Sequence, residues 1–328
     1  MAETSKSNVT QTLIGAEDEG RRLDNHLLRV CKGVPKSHVY RIIRSGEVRL
    51  NGKRASASDR LRQGDVLRLP PIRVAQGREE IAAGAEIKAD LPILYEDEAM
   101  LVLDKPAGIA VHGGSGVNFG VIEALRRQRP QARYLELAHR LDRETSGLLL
   151  IGKKHSALSA LHAMFREGRG VDKRYLLLVR GRWMEPRREV ALPLCKYLLA
   201  GGEHRGERRV RVAPDGKPSR TIFRLLARWE GFSLLEAELR TGRTHQIRVH
   251  CAHLGFPIAG DEKYGDFAAN RALSKDGLKR MFLHAWKMNL PHPMSGEPLT
   301  LQAPLPDALE RFLKKLSHEE TLDHGQAF

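Results

Sequence analysis

Cysteine is scarce in this 328-residue chain: Cys31, Cys195 and Cys251 stand far apart, and no Cys-X-X-Cys occurs. So odd and sparse a set excludes a disulfide framework and predicts reduced thiols in a cytoplasmic protein. No apolar run approaches bilayer-spanning length, which argues against a membrane helix. Met1 to Glu19 is polar and partly acidic, without the apolar stretch of a secretory signal, and reads as a flexible tail. Aromatic residues make up only 5% of the chain, so extensive stacking on single strands is not indicated. The glycine-rich stretch His112-Gly113-Gly114-Ser115-Gly116 lacks the Gly-Lys-Ser/Thr ending and the strand-loop-helix context of a nucleotide loop, and is read as a flexible loop.

Positive charge, by contrast, is abundant. Lys and Arg number 55 against 40 Asp and Glu, a formal net charge of +15. A chain this basic is expected to meet a polyanion, with nucleic acid the first candidate. Its length suffices for two domains with a well-buried core.

The first of these is read at residues 20–82. Leu23, Leu27 and Cys31 recur at helical spacing, so Arg21 to Val30 is predicted as an amphipathic helix. Pro35 and Ser37 open a second helix with Val39, Ile42 and Ile43 as its buried stripe and Gly46 as its stop. Lys36, His38, Arg41 and Arg44 fall on its exposed positions, where cations suit phosphate contact. Glu47 to Leu50 alternates like a strand, Asn51-Gly52 is a hairpin turn, and Asp65 to Leu69 is a further strand. Composition then shifts over residues 72–90 to Ala, Gly, Glu and Arg without apolar period, and a linker is placed at 83–90.

Residues 91–320 are read as a second, strand-rich domain, with 321–328 as a polar tail. Pro92 to Tyr95 and Met100 to Leu103 are predicted strands, Asp104 to Gly108 a turn, Ser156 to Glu167 a helix, and Val171 to Val179 a strand. Glu203 to Arg211, rich in Arg and Gly, is read as an exposed mobile loop. Ser219 to Leu226 and Ser233 to Leu239 read as a strand pair. Ile247, Cys251 and Leu254 share a helical face, with Arg248 on another, and Leu309 to Leu316 forms a final amphipathic helix. His245, His250 and His253 do not converge on one helix face, so no metal site is expected.

The stretch around which the second domain is organised is His139-Arg140-Leu141-Asp142-Arg143-Glu144-Thr145-Ser146-Gly147. Apolar strands flank it, so it is a polar loop held at both ends, the usual mounting for reactive groups. Asp142 lies between Arg140 and Arg143, and a nearby cation favours the carboxylate form. Taken alone, the loop fits either a nucleophile or general base, or a structural ion pair in a turn.

These nine residues resemble the signature of the RluA family of pseudouridine synthases. That resemblance implies an isomerase that converts uridine in RNA to pseudouridine, with Asp142 as its catalytic residue. Lys173-Arg174-Tyr175 is similar to the second family motif, which implies that Tyr175 stacks on the target base. Thr241 to His250 is similar to the third, which implies an Arg248–Asp142 salt bridge. By the same resemblance Arg140 fills the gap left by, or steers, the flipped nucleotide, and Leu283 packs the base opposite Tyr175. Residues 20–52 resemble an S4 domain, a small RNA-binding module. The implied fold is α+β: a small S4 domain followed by a domain with a mixed, largely antiparallel sheet and a central RNA-binding cleft. The implied partner is 23S ribosomal RNA or a precursor of the large ribosomal subunit, met by a monomer without cofactor or metal. The reading set against it is a non-catalytic S4-type protein that binds the ribosome.

Overall fold

The protein is described from a computed structural model covering residues 9–31, 34, 36–71, 91–113, 120–168, 170–199 and 207–319. The linker placed at 83–90, the tail at 321–328 and most of the glycine-rich loop fall outside the described residues.

The N-terminal unit is built from β1 (Thr10–Leu13), α1 (Leu23–Val30), α2 (Lys36–Arg44), β2 (Arg49–Leu50), β3 (Lys53–Arg54) and β4 (Val66–Leu69). The strands form a sheet in the order β1-β4-β2-β3. Leu23, Leu27, Val39, Ile42, Ile43, Val48 and Leu67 close a separate small core beneath it. Asn51 and Gly52 both take positive φ, the backbone a two-residue hairpin needs. The tail expected over residues 1–19 is corrected from Thr10 onward; residues 1–8 lie outside the described residues. Residues 10–13 pair with β4 across four registered positions, and Ile14 is buried in the core. All four side chains of β1 are exposed, so the strand is held by its backbone and leaves no hydrophobic alternation to read. Asp18, also buried, gathers Arg29 at 2.6 Å, Arg21 at 3.0 Å and His26 at 3.3 Å.

In chain order the second unit contains β5 (Ile93–Glu96), β6 (Met100–Lys105), α3 (Val121–Gln128), β7 (Glu136–Leu137), β8 (Ser146–Gly152), α4 (His155–Glu167), β9 (Asp172–Arg180), β10 (Arg187–Val190), β11 (Leu194–Leu198), β12 (Arg208–Val212), β13 (Thr221–Trp229), β14 (Phe232–Leu239), α5 (Gln246–His253), α6 (Phe267–Lys275), β15 (Leu283–Pro291), β16 (Pro298–Gln302) and α7 (Asp307–Glu319). Ten strands form one sheet, its main path β10-β13-β14-β9-β15-β8-β6-β5, with β16 on β15 and β7 on β8. Its described pairings are antiparallel except that of β15 with β8. The class is therefore α+β with a mixed, mostly antiparallel sheet. Large apolar clusters cover both faces, as the near-continuous burial of β6, β8 and β9 requires.

Two further expectations are corrected. Asp104 and Lys105 continue β6 rather than opening a turn, and Lys105 is fully buried. Arg208 to Arg211 lie in β12, paired with β11 and anchored by buried Val210, rather than in a mobile loop. There the arginines alternate with valines, a period-two pattern that the count of charges hides.

The parallel pairing matters most for the site. It aligns Ser146 with His284 and Gly147 with Ala285. Gly147 has φ +105, and a β-carbon there would overlap the Ala285 carbonyl. Both the backbone conformation and the strand approach therefore demand glycine. Gly147→Ala is expected to cost roughly 2–4 kcal/mol of stability, the range of combined strain and overpacking. Urea unfolding followed by tryptophan fluorescence checks this; a loss below about 0.5 kcal/mol would show that the strands separate freely.

Candidate active site

Asp142 sits at the saddle between two clefts of about 710 and 740 Å³, each of which it lines together with Arg140, His245 and Arg248. The loop that carries it is pinned from below. The Lys105 ammonium donates to the carbonyls of Pro106, Ile109 and Arg143 at 2.7, 2.9 and 3.1 Å. Three protons thus meet three acceptors, one of them adjacent to Asp142, although burial draws the Lys105 pKa down to about 7. Gly108 donates to the same Arg143 carbonyl, and Thr145 to that of Asp142.

The cations beside Asp142 in the chain are not its partners. Arg143 turns to Glu144 at 2.7 Å, and Arg140 is exposed, with no ion pair among the described residues. The expectation that these two set the charge state of Asp142 is therefore corrected, since side chains adjacent in a loop point apart. The partner is Arg248, whose Nη1 donates to Asp142 Oδ2 at 3.1 Å. Arg248 is itself buried, and its Nε and Nη2 donate to the two oxygens of buried Asp261, both at 2.8 Å. Asp261 also accepts from the amides of Lys263 and Tyr264. Its pKa is held low by these donors against the opposing effect of burial. The clamp is bidentate toward Asp261, and one of the three N–H groups that remain reaches Asp142.

A third group faces Asp142. His245 opens α5 in the left-handed region, φ +54, an unusual backbone for a residue with a side chain. Thr241 and the amide of Arg243 donate to the Gln246 side chain, which fixes this turn. The Tyr264 hydroxyl accepts from the Val210 amide at 2.9 Å, so its own proton goes to His245 Nδ1 at 2.8 Å. Burial, assisted by Arg248 and Lys263, lowers the His245 pKa to about 4, so the ring is neutral. Its remaining proton sits on Nε2, which lies 3.8 Å from Asp142 Oδ1. Sequence reading weighed His245 only as a metal ligand. His250 turns instead to Ser219 and Thr221, so the two rings do not share a site.

Tyr175, Leu283 and Ile247 are buried and line the first cleft together with Leu239 and Phe165. Tyr175 and Leu283 come from adjacent strands, β9 and β15. Burial first, then the Asp142 carboxylate, pushes the Tyr175 phenol well above its ordinary range, so it keeps its proton at neutral pH. Ile247 was read as part of the buried face of its helix; it also forms cleft wall. Lys36, Arg41 and Arg44 lie exposed on α2, in the other unit, away from these clefts. Among the described residues no group of three or more His, Cys, Asp or Glu is placed to hold a metal, and no helix is long and apolar enough to cross a membrane.

A clamped carboxylate at the floor of a half-apolar, half-cationic cleft is an arrangement suited to an enzyme that works on part of a polyanion. Residues 99–253 match the RNA pseudouridylate synthase family, and residues 21–67 match the S4 domain. The chain is 49% identical to ribosomal large subunit pseudouridine synthase C of Escherichia coli (strain K12), over 95% of this chain and 98% of that one. It is 48% identical to the protein of the same name from Yersinia pestis, over 97% and 99%. Among solved structures, human RNA pseudouridylate synthase domain containing 1 superposes with a TM-score of 0.53 at 26% identity, covering 70% of this chain and 90% of that one. The chain belongs to the RNA pseudouridine synthase family, and carries an S4 domain ahead of its catalytic domain. It is an isomerase.

Four histidines are neutral through burial: His245, His250 and His284 are drawn to about 4 and His139 to about 3. As pH falls below about 6.5, the unfolded chain takes up protons that the folded chain refuses. The stability they permit is thus present above pH ~6.5 and lost toward pH ~4. Urea unfolding at successive pH values is expected to show uptake of roughly two to four protons on unfolding in that window. An uptake below one would mean that these rings charge without opening the fold.

Proposed function

We propose that this enzyme isomerises specific uridines in the 23S RNA of the large ribosomal subunit, in the cytoplasm, with Asp142 as its nucleophile or base. The observation that carries the reading is the position of Asp142: it accepts one N–H from an arginine that Asp261 already holds, at the floor of a cleft that also contains Tyr175. The reaction breaks C1′–N1, turns the uracil, and forms C1′–C5. Its atoms balance without oxidant or energy source: the C5 hydrogen leaves as a proton and the freed N1 takes one up. A carboxylate is needed to attack C1′ or to take a proton from the sugar. Arg248 holds the Asp142 carboxylate in place and aims it. The target must leave its stack to reach Asp142. Tyr175 on one side and Leu283 with Ile247 on another give the freed uracil a flat, dry slot, and Arg140 steers the flipped nucleotide from the rim. The names of the relatives and the basic face of α2 together support a large-subunit RNA as substrate.

Asp142→Asn keeps shape and hydrogen-bonding size but supplies no anion. It is expected to fold, bind RNA and release no tritium from C5-labelled uridine in single-turnover assays with enzyme in excess. Turnover within about tenfold of the parent, roughly 1.4 kcal/mol, would remove Asp142 from the essential role.

The S4 reading is tested separately. Replacing Lys36, Arg41 and Arg44 together by glutamine removes three exposed cations from α2. Affinity is expected to fall and its salt dependence to flatten by roughly 0.7–0.9 per lost phosphate contact, while turnover at saturating RNA is kept. An unchanged salt slope would leave this face without a phosphate partner.

A further inference from the structure

Lys173 is a cation for which nothing above accounts. It stands two residues before Tyr175 on β9, and the strand's period of two turns both side chains to the same face of the sheet. Arg174, between them, points the other way into a carboxylate network with Asp172, Glu236 and Glu238. Lys173 has no such network. Among the described residues it makes no hydrogen bond and no ion pair. Its ammonium lies 5.4 Å from the Phe165 ring centroid, and a β-carbon on Gly242 would be 4.0 Å from its Nζ. It is partly buried and lines the first cleft. The one carboxylate in that lining besides Asp142 is Glu167, which is exposed and does not pair with it.

An ammonium withdrawn from water with no counter-charge is costly, and its pKa is lowered by burial alone. Such a group is stable in place only because the cleft stays open to solvent on one side, and it gains most when an anion arrives. The cations around it add to that preference. Arg166, Arg240 and Arg243 line the same cleft, so its outer half is positive while its inner half, at Tyr175, Leu283 and Ile247, is apolar. Residues i and i+2 on a strand are separated by roughly 7 Å. That is about the distance from a pyrimidine ring to a phosphate of its own nucleotide. A base seated against Tyr175 therefore leaves a backbone phosphate within reach of Lys173.

We infer that Lys173, in the pocket formed by Phe165 and the Thr241–Gly242 turn, is a binding subsite for the RNA phosphodiester next to the flipped uridine. The inference rests on the reading of this cleft as the uridine site. The contact is an ammonium on a phosphate oxygen. It uses the binding energy of the backbone to hold the nucleotide out of its stack while Asp142 acts on the sugar. Lys173 touches the substrate but not the reacting atoms.

The test compares Lys173→Met and Lys173→Arg in the full-length protein on a 23S RNA fragment containing a modified uridine. Lys173→Met is expected to raise Kd by five- to twentyfold and to reduce the slope of log Kd against log salt by about 0.7–0.9, the value for one phosphate. The single-turnover rate at saturating RNA should change far less than Kd. Lys173→Arg should recover most of the affinity. A neutral methylphosphonate at the 5′ or the 3′ phosphate of the target should weaken the parent and leave Lys173→Met unaffected. Unchanged affinity and salt slope in Lys173→Met would overturn the subsite, and would make Lys173 a packing partner of Phe165. A fall in saturated rate as large as the fall in affinity would also overturn it, by placing Lys173 among the reacting groups. Tyr175→Leu, assayed alongside, separates the two levels. If it loses turnover while Lys173→Met behaves as the parent, the subsite alone fails; if it keeps turnover, the cleft is not the uridine site and both fail.

Discussion

The active site depends on one guanidinium shared unequally between two carboxylates. Arg248 gives two N–H groups to Asp261 and one to Asp142. Had the fork closed on Asp142, that carboxylate would be anionic but largely spent, with both oxygens engaged by parallel donors. With one contact it retains free lone pairs on both oxygens. Asp261 makes this division stable. It is almost wholly buried, and Arg248 first, then two backbone amide donors, hold it ionised where an isolated carboxylate would take up a proton. The second carboxylate thus fixes the geometry of the first through the cation between them.

That geometry needs Asp142, Tyr175, Arg248 and Asp261 fixed relative to one another, although they span more than a hundred residues of chain. The sheet does this with little contribution from the loops themselves. Asp142 precedes β8, Leu283 begins β15, and Tyr175 lies on β9, three consecutive strands of the main path. The loop ahead of β8 is seated by the close approach of Gly147 to Ala285 and by Lys105 beneath it. Each is an interaction that a small error would break, which suits a site whose catalytic distances are tight. Among the described residues the N-terminal unit meets this frame at Arg133 and Tyr134, where the Arg29 guanidinium donates to the Arg133 carbonyl. The Arg21 guanidinium lies 4.9 Å from the Tyr134 ring centroid, and the edge of His155 meets the same ring.

What the sequence revealed divides along physical lines. The central loop, the helix stripes at Val39, Ile42 and Ile43, and the Asn51-Gly52 hairpin are local patterns, legible because a few adjacent residues decide them. Partnership between charges is not local. Asp142 has two arginines within two positions, yet its partner lies 106 residues on, because neighbours in a turn diverge while strand and helix ends converge. Lys105 and Lys173 drew no reading of their own, since nothing in the chain announces that a cation will be buried against carbonyls or held against a phenyl ring. The edge strand β1 lacked signal for another reason: backbone pairing holds it, and its four exposed side chains carry little hydrophobic pattern.

On the proposed reading, a basic enzyme that works through a carboxylate must resolve an electrostatic conflict, because its substrate is a chain of anions and its reactive group is another. Long-range attraction by a net charge of +15 does not resolve it, since at physiological salt the field decays over about 8 Å. The cations must be local, and they are. The two clefts that meet at Asp142 are lined by more Lys and Arg than Asp and Glu on each side: six against two in one, and seven against four in the other. A strand entering along one cleft and leaving by the other passes from cation to cation and meets the carboxylate only at the saddle. On that reading the sugar, rather than a phosphate, is presented there. Arg140, exposed and lining both clefts, stands where the two halves of such a path join. On this view the surplus of arginine does more than raise affinity: it fixes which part of the nucleotide can come to rest against Asp142.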